Sequence, residues 1–270
     1  MVSGADDRPI GVFDSGLGGL TVARAIMRRL PGESLIYFGD TARVPYGPKS
    51  PDTVRRYSRE IGTFLHDEGA KAVVVACNTA TAHALAALRA ELPVPVIGVI
   101  EPGARAAVAA ARSGRVGVIG TAGTIRSGAY ERAIRELAPS MEIISQACPL
   151  FVPLVEEGWT EHEATHLVAR EYLTAMSGNR VDALVLGCTH YPQLADVIAR
   201  TVGPTVELVD SAAETAEELA RTLEARGLLA PAVDQARHRF IASDDPRQFL
   251  ALGARFLAQP IEHVEIRTFG

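Results

Sequence analysis

The chain has 270 residues, of which 47% are hydrophobic, and a formal net charge of −5 at pH 7. This content is enough for one large hydrophobic core or two smaller ones. Because the charge is not gathered into basic clusters, we expect no direct binding to nucleic acid. The opening MVSGADDRPI lacks the apolar core of a secretory signal, and the longest apolar run, near 72–76, is far too short to cross a bilayer. We therefore expect a cytoplasmic protein with no membrane contact and three reduced cysteines.

Short apolar and β-branched runs alternate along the chain with longer segments of helical periodicity. The predicted strands cover residues 9–14, 34–38, 71–76, 95–99, 115–119, 141–145, 182–187, 205–209, 237–242 and 262–266. The predicted helices cover residues 17–30, 51–68, 79–91, 101–112, 123–138, 161–177, 191–202, 211–226 and 246–257. This alternation predicts an α/β fold of mostly parallel sheets flanked by helices.

A weak internal repeat divides the chain. The segment IGVFDSGLGGLT, which contains Ser15, resembles VGVIGTAGTIRS, which contains Thr121, and each copy precedes a strand that ends in cysteine. Cys77 lies 62 residues after Ser15 (77 − 15), and Cys188 lies 67 residues after Thr121 (188 − 121). The repeat predicts two pseudo-symmetric α/β domains. These are 1–98 with 209–270, which contains Cys77, and 99–208, which contains Cys188.

Both cysteines follow similar strands, in VVVACNTATA and ALVLGCTHYP. Ligands of parallel sheets bind at the carboxyl ends of the strands, where the N-terminus of the next helix lowers the pKa of a thiol and attracts anions. Asn78, Thr79 and Thr189 add short hydrogen-bonding side chains suited to a carboxylate. Two such thiols can invert a stereocentre without a cofactor, since one removes a proton from carbon and the other delivers one to the opposite face.

Each cysteine also has a structural interpretation. A single cysteine at the end of a strand is more often a small buried apolar residue than a catalytic group. The matching surroundings of Cys77 and Cys188 favour catalysis. Cys148, in QACPLFVP, is not followed by polar residues, and we interpret it as part of the core.

The sequence argues against both a metal site and a pyridoxal phosphate cofactor. HEATH, residues 162–166, matches the H-E-x-x-H zinc pattern. A helical projection places both histidines opposite the predicted buried face, which consists of Ala164, Leu167, Val168, Tyr172 and Ala175. Pyridoxal phosphate would need a lysine for its Schiff base, and neither Lys49 nor Lys71 follows a cysteine strand. We predict no metal and no cofactor.

Six segments, in chain order, resemble the glutamate racemase family of aspartate/glutamate racemases. They are GVFDSGLGGLTV (11–22), GDTARVPYGPKS (39–50), ACNTATA (76–82), VIGTAGTIRSGAY (118–130), CPLFVPLVEEG (148–158) and LGCTHYPQL (186–194). The resemblance implies a cofactor-independent isomerase that interconverts L- and D-glutamate and supplies D-glutamate for peptidoglycan, and so for cell wall biogenesis and cell shape. It also implies an active site in the cleft between two domains.

The same resemblance assigns roles by position. Cys77 and Cys188 match the two catalytic acid–base cysteines, and Asp14, Glu156 and His190 match polar residues that assist the thiols. The positions that match substrate-binding residues are Asp14, Ser15, Tyr46, Gly47, Asn78, Thr79, Thr121, Thr189 and His190. By sequence alone, Asp14 could instead cap the helix predicted at 17–30, and His190 could be a buried structural histidine.

Two other functions stay open at this stage. One is a racemase for another acidic amino acid such as aspartate, because the sequence does not give the length of the pocket. The other is a binding or regulatory protein, since some members of the family are linked to inhibition of DNA gyrase. Retention of both cysteines favours catalysis, because a sensor needs neither. The sequence also leaves open whether the chain forms a homodimer.

Overall fold

The computed structural model describes residues 6–178, 180–231 and 236–269, and every structural statement below refers to these residues. The chain divides by contact into two compact units. The first unit comprises the described residues of Met1–Val99 and Ala212–Gly270, and the second unit is Ile100–Ser211.

Strands and helices alternate as the hydrophobic pattern predicts. The strands are β1 (Ile10–Asp14), β2 (Leu35–Gly39), β3 (Ala72–Val75), β4 (Val96–Gly98), β5 (Arg115–Gly120), β6 (Glu142–Ala147), β7 (Ala183–Gly187), β8 (Glu207–Val209), β9 (His238–Ala242) and β10 (Glu265–Ile266). The α-helices are α1 (Leu20–Arg29), α2 (Pro51–Asp67), α3 (Asn78–Glu91), α4 (Ile100–Ala110), α5 (Ala122–Arg126), α6 (Ala129–Leu137), α7 (Phe151–Glu156), α8 (Glu163–Leu173), α9 (Ala195–Val202), α10 (Ser211–Arg226) and α11 (Pro246–Leu257). The 3₁₀ turns are Thr41–Arg43, Thr174–Met176 and Tyr191–Leu194.

The two units have sheets with the same central topology. The sheet of the first unit has the order β10-β9-β2-β1-β3-β4, and that of the second unit has the order β6-β5-β7-β8. Within the described residues, all strand pairings are parallel. The parallel sheets and their helices confirm the predicted α/β class. The order β2-β1-β3-β4 recurs as β6-β5-β7-β8, so the two copies of the weak sequence repeat lie at the first strands, β1 and β5, of two sheets with the same strand order.

The core of the first unit fixes β1 beside β3. β1, β2 and β3 are buried at every position, as expected for parallel strands that are covered on both faces. On one face, Val54, Ile61 and Leu65 of α2 pack with apolar side chains of these strands, including Phe13 and Val75. Each fully buried aliphatic side chain contributes about 1.5–3 kcal/mol, so the relative position of the strand ends is firmly determined.

In the second unit, one predicted helix is divided in two and one further helix was not predicted. The segment predicted as one helix over 123–138 is divided into α5 and α6, because Gly128 has a left-handed φ of 63° that a continuous helix cannot contain. The helix α7 was not predicted, since it has only six residues and contains Pro153. The last residue of α7, Glu156, is one of the predicted site residues.

The predicted buried face of the helix at 161–177 is wrong. The buried residues of α8 include Thr165, Ala169 and Leu173, whereas Leu167 is 53% exposed. The hydroxyl of Thr165 donates a hydrogen bond to the carbonyl of Trp159 at 2.5 Å, so this polar residue is buried without an unsatisfied group. His162 precedes the helix as its N-cap, and its Nδ1 accepts a hydrogen bond from the Ala164 amide at 3.1 Å.

In the described part of the chain, none of the helices combines the length and apolar content that a bilayer span requires.

Candidate active site

Strand register places a hydroxyl residue opposite each of the two cysteines. In the first unit Phe13 pairs with Val75, so continuing the register by two residues places Ser15 (13 + 2) opposite Cys77 (75 + 2). In the second unit Gly120 pairs with Gly187, and one further residue places Thr121 (120 + 1) opposite Cys188 (187 + 1). Both pairs lie at the carboxyl ends of the first and third strands of their unit. The second strand lies on the outer side of the first, and the fourth strand lies on the outer side of the third, so the strand order reverses between the first and third strands. That position is the usual ligand site of doubly wound sheets.

Cys77 lies at the start of α3, as predicted. It is the N-cap residue of this helix, and its Sγ accepts a hydrogen bond from the Ala80 amide at 3.5 Å. The thiol also donates to Ser15 Oγ at 3.7 Å. A helix N-terminus presents partial positive charge and backbone donors, both of which favour the thiolate form. Asn78 and Thr79, the first two residues of α3, are buried beside Cys77.

Asp14 orders the turn that follows β1. Its side chain is fully buried, and Oδ2 accepts a hydrogen bond from the Gly16 amide at 3.0 Å. The helix α1 begins only at Leu20, with Gly19 as its N-cap, so the alternative that Asp14 caps this helix is wrong. A Cβ atom on Gly19 would lie 2.5 Å from Asp14 Cβ and 2.9 Å from Ala76 Cβ. The glycine therefore allows the turn to approach the ends of β1 and β3.

Tyr37 supports the same turn from β2. Its hydroxyl donates to the carbonyl of Gly16 at 2.9 Å. Burial, together with the nearby charges of Asp14 and Cys77, raises the pKa of Tyr37 well above its usual value. The hydroxyl thus remains protonated and acts as a donor that fixes the backbone after Ser15.

Tyr46 and Gly47 are both buried, in the loop between the 3₁₀ turn Thr41–Arg43 and α2. The Tyr46 side chain is 1% exposed, and its hydroxyl donates to Asp40 Oδ2. Burial and the Asp40 charge raise the pKa of Tyr46 far above its ordinary range. Asp40 was not predicted as a functional residue. The only sequence signal for it is its presence in the segment GDTARVPYGPKS.

Cys188 has a different environment from the one predicted. It follows β7 directly, but the next element is the 3₁₀ turn Tyr191–Leu194 rather than an α-helix. The Sγ atom lies 3.9 Å from His190 Nδ1, and His190 Nε2 lies 3.1 Å from Glu156 Oε1. Because a carboxylate only accepts hydrogen bonds, Nε2 carries a proton, and in the neutral imidazole Nδ1 is then the acceptor toward the thiol. The three groups can therefore pass a proton from or to Cys188.

Two further predicted residues lie beside Cys188. Thr189 is 7% exposed and follows it directly. Thr121 is the N-cap of α5, and its Oγ1 accepts a hydrogen bond from the Thr124 amide at 3.2 Å. The structure thus gathers Asp14, Ser15, Cys77, Asn78 and Thr79 at one sheet edge of the first unit. It gathers Glu156, Cys188 and His190 in the second unit, with Thr121 opposite Cys188 in the strand register.

The surroundings of Cys148 and Lys71 are those of residues that stabilise the fold. Cys148 is fully buried, and burial raises the pKa of its thiol well above the ordinary value. Lys71 precedes β3 at the end opposite Cys77, and its Nζ lies 2.6 Å from Glu33 Oε2. Within the described ranges, no group of three or more His, Cys, Asp or Glu side chains is arranged to hold a metal ion.

Comparison with known proteins identifies the family. The sequence profile described as Asp/Glu/Hydantoin racemase matches residues 10–219, well over half of the chain. The chain belongs to this racemase family. Members are isomerases, and both cysteine strands lie within the matched region.

Individual relatives of this racemase are similar along almost their whole length. A protein from Geobacter metallireducens named glutamate racemase is 58% identical over 250 residues, which is 93% of each chain. The crystal structure of glutamate racemase from Thermus thermophilus in complex with beta-chloro-D-alanine is 48% identical, with a TM-score of 0.88 over 98% of this chain and 99% of that one. That of the Francisella tularensis enzyme in complex with D-glutamate is 39% identical, with a TM-score of 0.91 over 97% and 98%.

Proposed function

We propose that the chain is a glutamate racemase that interconverts L- and D-glutamate without a cofactor. One observation carries this proposal: two thiols occupy equivalent positions, at the carboxyl ends of the third strands of two sheets with the same topology. Membership of the racemase family and the names of the similar relatives support glutamate as the substrate. The reaction would take place in the cytoplasm and supply D-glutamate for peptidoglycan. We further propose that the two compact units are the two domains of this enzyme.

In the first unit, Cys77 acts as one of the two bases. The Ala80 amide and the start of α3 stabilise its thiolate, which removes the α-proton from one enantiomer. Ser15, Asn78 and Thr79 bind the α-carboxylate and so stabilise the negative charge that develops as the proton leaves. Asp14 is held in place by the Gly16 amide, and its carboxylate is suited to the substrate ammonium.

In the second unit, Cys188 acts on the opposite face of Cα. As a thiol it delivers a proton to the carbanion, and in the reverse direction its thiolate removes one. His190 exchanges this proton with Sγ through Nδ1, while Glu156 orients the imidazole through Nε2. Thr189 and Thr121 bind the substrate from this unit. The stereochemical result follows because the two protons are handled by different sulfur atoms.

Exchange in D2O tests the proposal directly. L-glutamate and, separately, D-glutamate are incubated with the enzyme without added cofactor, and Cα exchange and optical inversion are followed by NMR and circular dichroism. We expect each product enantiomer to acquire deuterium at Cα faster than the remaining substrate does, because a second group delivers the proton. A parallel incubation uses L-aspartate. Faster turnover of aspartate than of glutamate would refute the substrate, and absence of inversion for both would refute the racemase proposal.

A further inference from the structure

A buried polar cluster around Asp40 lies at the same sheet edge as Cys77. Asp40 directly follows β2, and its amide donates a hydrogen bond to the carbonyl of Asp14 at 3.1 Å. Its side chain is fully buried. Asp40 is therefore connected through the backbone to a residue that we place in the substrate site.

The carboxylate of Asp40 accepts hydrogen bonds from three side chains. Oδ2 accepts from the Tyr46 hydroxyl and from Arg43 Nε at 2.8 Å, and Oδ1 accepts from Ser243 Oγ at 2.9 Å. Ser243 lies 203 residues away in the chain, directly after β9. The partners approach from different segments, so the position of the carboxylate is fixed from several sides.

Arg43 balances the buried charge of Asp40. Its guanidinium also forms an ion pair with Glu60 of α2, and it lies 4.0 Å from the centre of the Tyr57 ring and 5.0 Å from that of Phe269. A buried ion pair adds little net stability, because the desolvation of both charges offsets their attraction. Its most evident effect here is to hold the Asp40 carboxylate in one orientation.

The loop of residues 44–47 takes its position from this carboxylate. The side chain of Tyr46 points into the protein, and its hydroxyl is engaged by Asp40, so Tyr46 cannot offer this hydroxyl to a substrate. If Tyr46 and Gly47 bind substrate, they do so through backbone atoms. The buried Tyr46 ring and its hydrogen bond to Asp40 hold this backbone in place.

We infer that Asp40 is a positioning residue: its hydrogen bond to Tyr46 holds the backbone of Tyr46 and Gly47 in the arrangement that binds the substrate. This inference rests on the proposed glutamate racemase activity. Loss of the bond would leave the loop in its binding arrangement for only part of the time, and apparent affinity falls in proportion to that fraction. The proton transfers at the two thiols would be unchanged once substrate is bound.

The test compares Tyr46→Phe with Ser243→Ala. Each variant removes one donor from Asp40. Ser243→Ala also removes the acceptor of the Ala42 amide, in the turn before the loop, but only Tyr46→Phe removes a hydrogen bond of the 44–47 loop itself. We expect Tyr46→Phe to raise KM for glutamate roughly 10-fold, the effect of one hydrogen bond to a buried carboxylate, with kcat changed less than about twofold. Ser243→Ala is expected to lower the melting temperature about as much as Tyr46→Phe does, but to leave KM within about twofold of the wild-type value. Equal increases in KM for both variants, or an unchanged KM in Tyr46→Phe, would overturn the inference.

Amide hydrogen exchange of the 46–50 peptide gives a readout that does not depend on activity. The Lys49 amide donates to the Tyr46 carbonyl at 3.0 Å, so its protection reports the order of the loop. We expect faster exchange in Tyr46→Phe and in Asp40→Asn, and wild-type exchange in Ser243→Ala. Equal exchange in Tyr46→Phe and Ser243→Ala would refute the positioning role. A wild-type enzyme that does not racemise glutamate would instead refute the proposed function, and the exchange result would still decide whether Asp40 orders the loop.

Discussion

Glu156 lies 3.1 Å from Nε2 of His190, although 34 residues separate the two in the chain. Glu156 is the last residue of α7, and His190 directly precedes the 3₁₀ turn that follows Cys188. The other ring nitrogen of the same imidazole lies 3.9 Å from Cys188 Sγ. A carboxylate, an imidazole and a thiol are thus aligned in the second unit, so the orientation of the imidazole beside the sulfur depends on a residue that does not contact the thiol.

Replacement of Glu156 by Gln should weaken proton transfer at Cys188. The amide keeps the shape of the side chain but loses the charge that holds the Nε2 proton. We expect kcat/KM to fall roughly 10-fold, the effect of losing a hydrogen bond to a charged group at a partly exposed site. Because enantiomers have equal free energy, the loss in kcat/KM is the same in both directions. The primary isotope effect with Cα-deuterated glutamate should rise for only one enantiomer, the one whose proton Cys188 removes.

Glu157→Gln is the matched control for this experiment, since Glu157 is the exposed next residue. It removes the same charge from the same short segment without touching His190. If Glu157→Gln lost as much activity as Glu156→Gln, a general electrostatic effect would explain the result instead.

The two site cysteines should respond to substitution unlike the third. Cys77→Ser and Cys188→Ser each replace a thiol by a hydroxyl, which is a far weaker acid, so we expect racemisation to fall by about 10²- to 10⁴-fold. Circular dichroism should show an unchanged fold. Cys148→Ala is the control, because this thiol is buried and donates only to the Gln146 carbonyl at 3.7 Å. Comparable losses in all three variants would contradict specific roles for Cys77 and Cys188.

Lys71 and Glu33 form a buried ion pair whose effect on stability can be separated from activity. Nζ of Lys71 also donates to the carbonyl of Asp6 at 2.6 Å, and the Ala230 amide donates to Glu33 Oε1 at 2.8 Å. The pair therefore joins segments that are distant in the chain. We expect Lys71→Met to lower the free energy of unfolding by about 3–5 kcal/mol, because it leaves a buried carboxylate without its cation.

A double variant tests this explanation by urea denaturation. Lys71→Met combined with Glu33→Gln removes both charges and should recover a large part of the lost stability. If the double variant were less stable than Lys71→Met alone, the uncompensated charge would not be the cause of the loss.

The stability of the first unit should depend on the protonation of His238. This residue begins β9, where it pairs with Leu35, and burial lowers its pKa below the ordinary value of 6.5. The unfolded chain therefore binds a proton more readily than the folded one, and stability rises with pH in this range. The contribution of His238 to the free energy of unfolding is fully present above pH ~6.5, and it is lost as the pH falls through that value towards the pKa of the folded state.

Melting temperatures between pH 7 and pH 5 check this prediction. The decrease should be smaller in His238→Gln than in the wild type. Arg237→Gln, at the exposed neighbouring position, is expected to keep the wild-type slope. Parallel curves for His238→Gln and the wild type would show that this imidazole does not contribute to the pH dependence.

The sequence predicts the fold well where a pattern is local. The alternation of buried strands and amphipathic helices predicts every strand of the structure to within about two residues at most boundaries, as for β9 (237–242 predicted, His238–Ala242 observed). It fails where one residue overrides the pattern. Gly128 breaks a helix through its backbone conformation, and Thr165 is buried because its hydroxyl finds a partner in Trp159.

The candidate site is predictable only in part for a similar reason. The sequence predicts that Ser15 and Cys77 each follow a strand, whereas the pairing of β1 with β3 that places them opposite each other is seen only in the structure. The link between Glu156 and His190 depends on α7, a helix too short to have a clear period. Asp40 and Ser243 are 203 residues apart in the chain, so their hydrogen bond cannot be predicted from any local sequence pattern.

The position of β9 has a consequence for synthesis of the chain. Leu35 of β2 pairs with His238, 203 residues later (238 − 35), whereas the second unit is one uninterrupted segment, Ile100–Ser211. A nascent chain can therefore complete the second unit on the ribosome while β2 of the first unit still lacks its partner strand β9 and exposes unpaired backbone groups along one edge. Such an edge is a template for pairing with other chains, so products that terminate before residue 238 should aggregate rather than accumulate as inactive monomers.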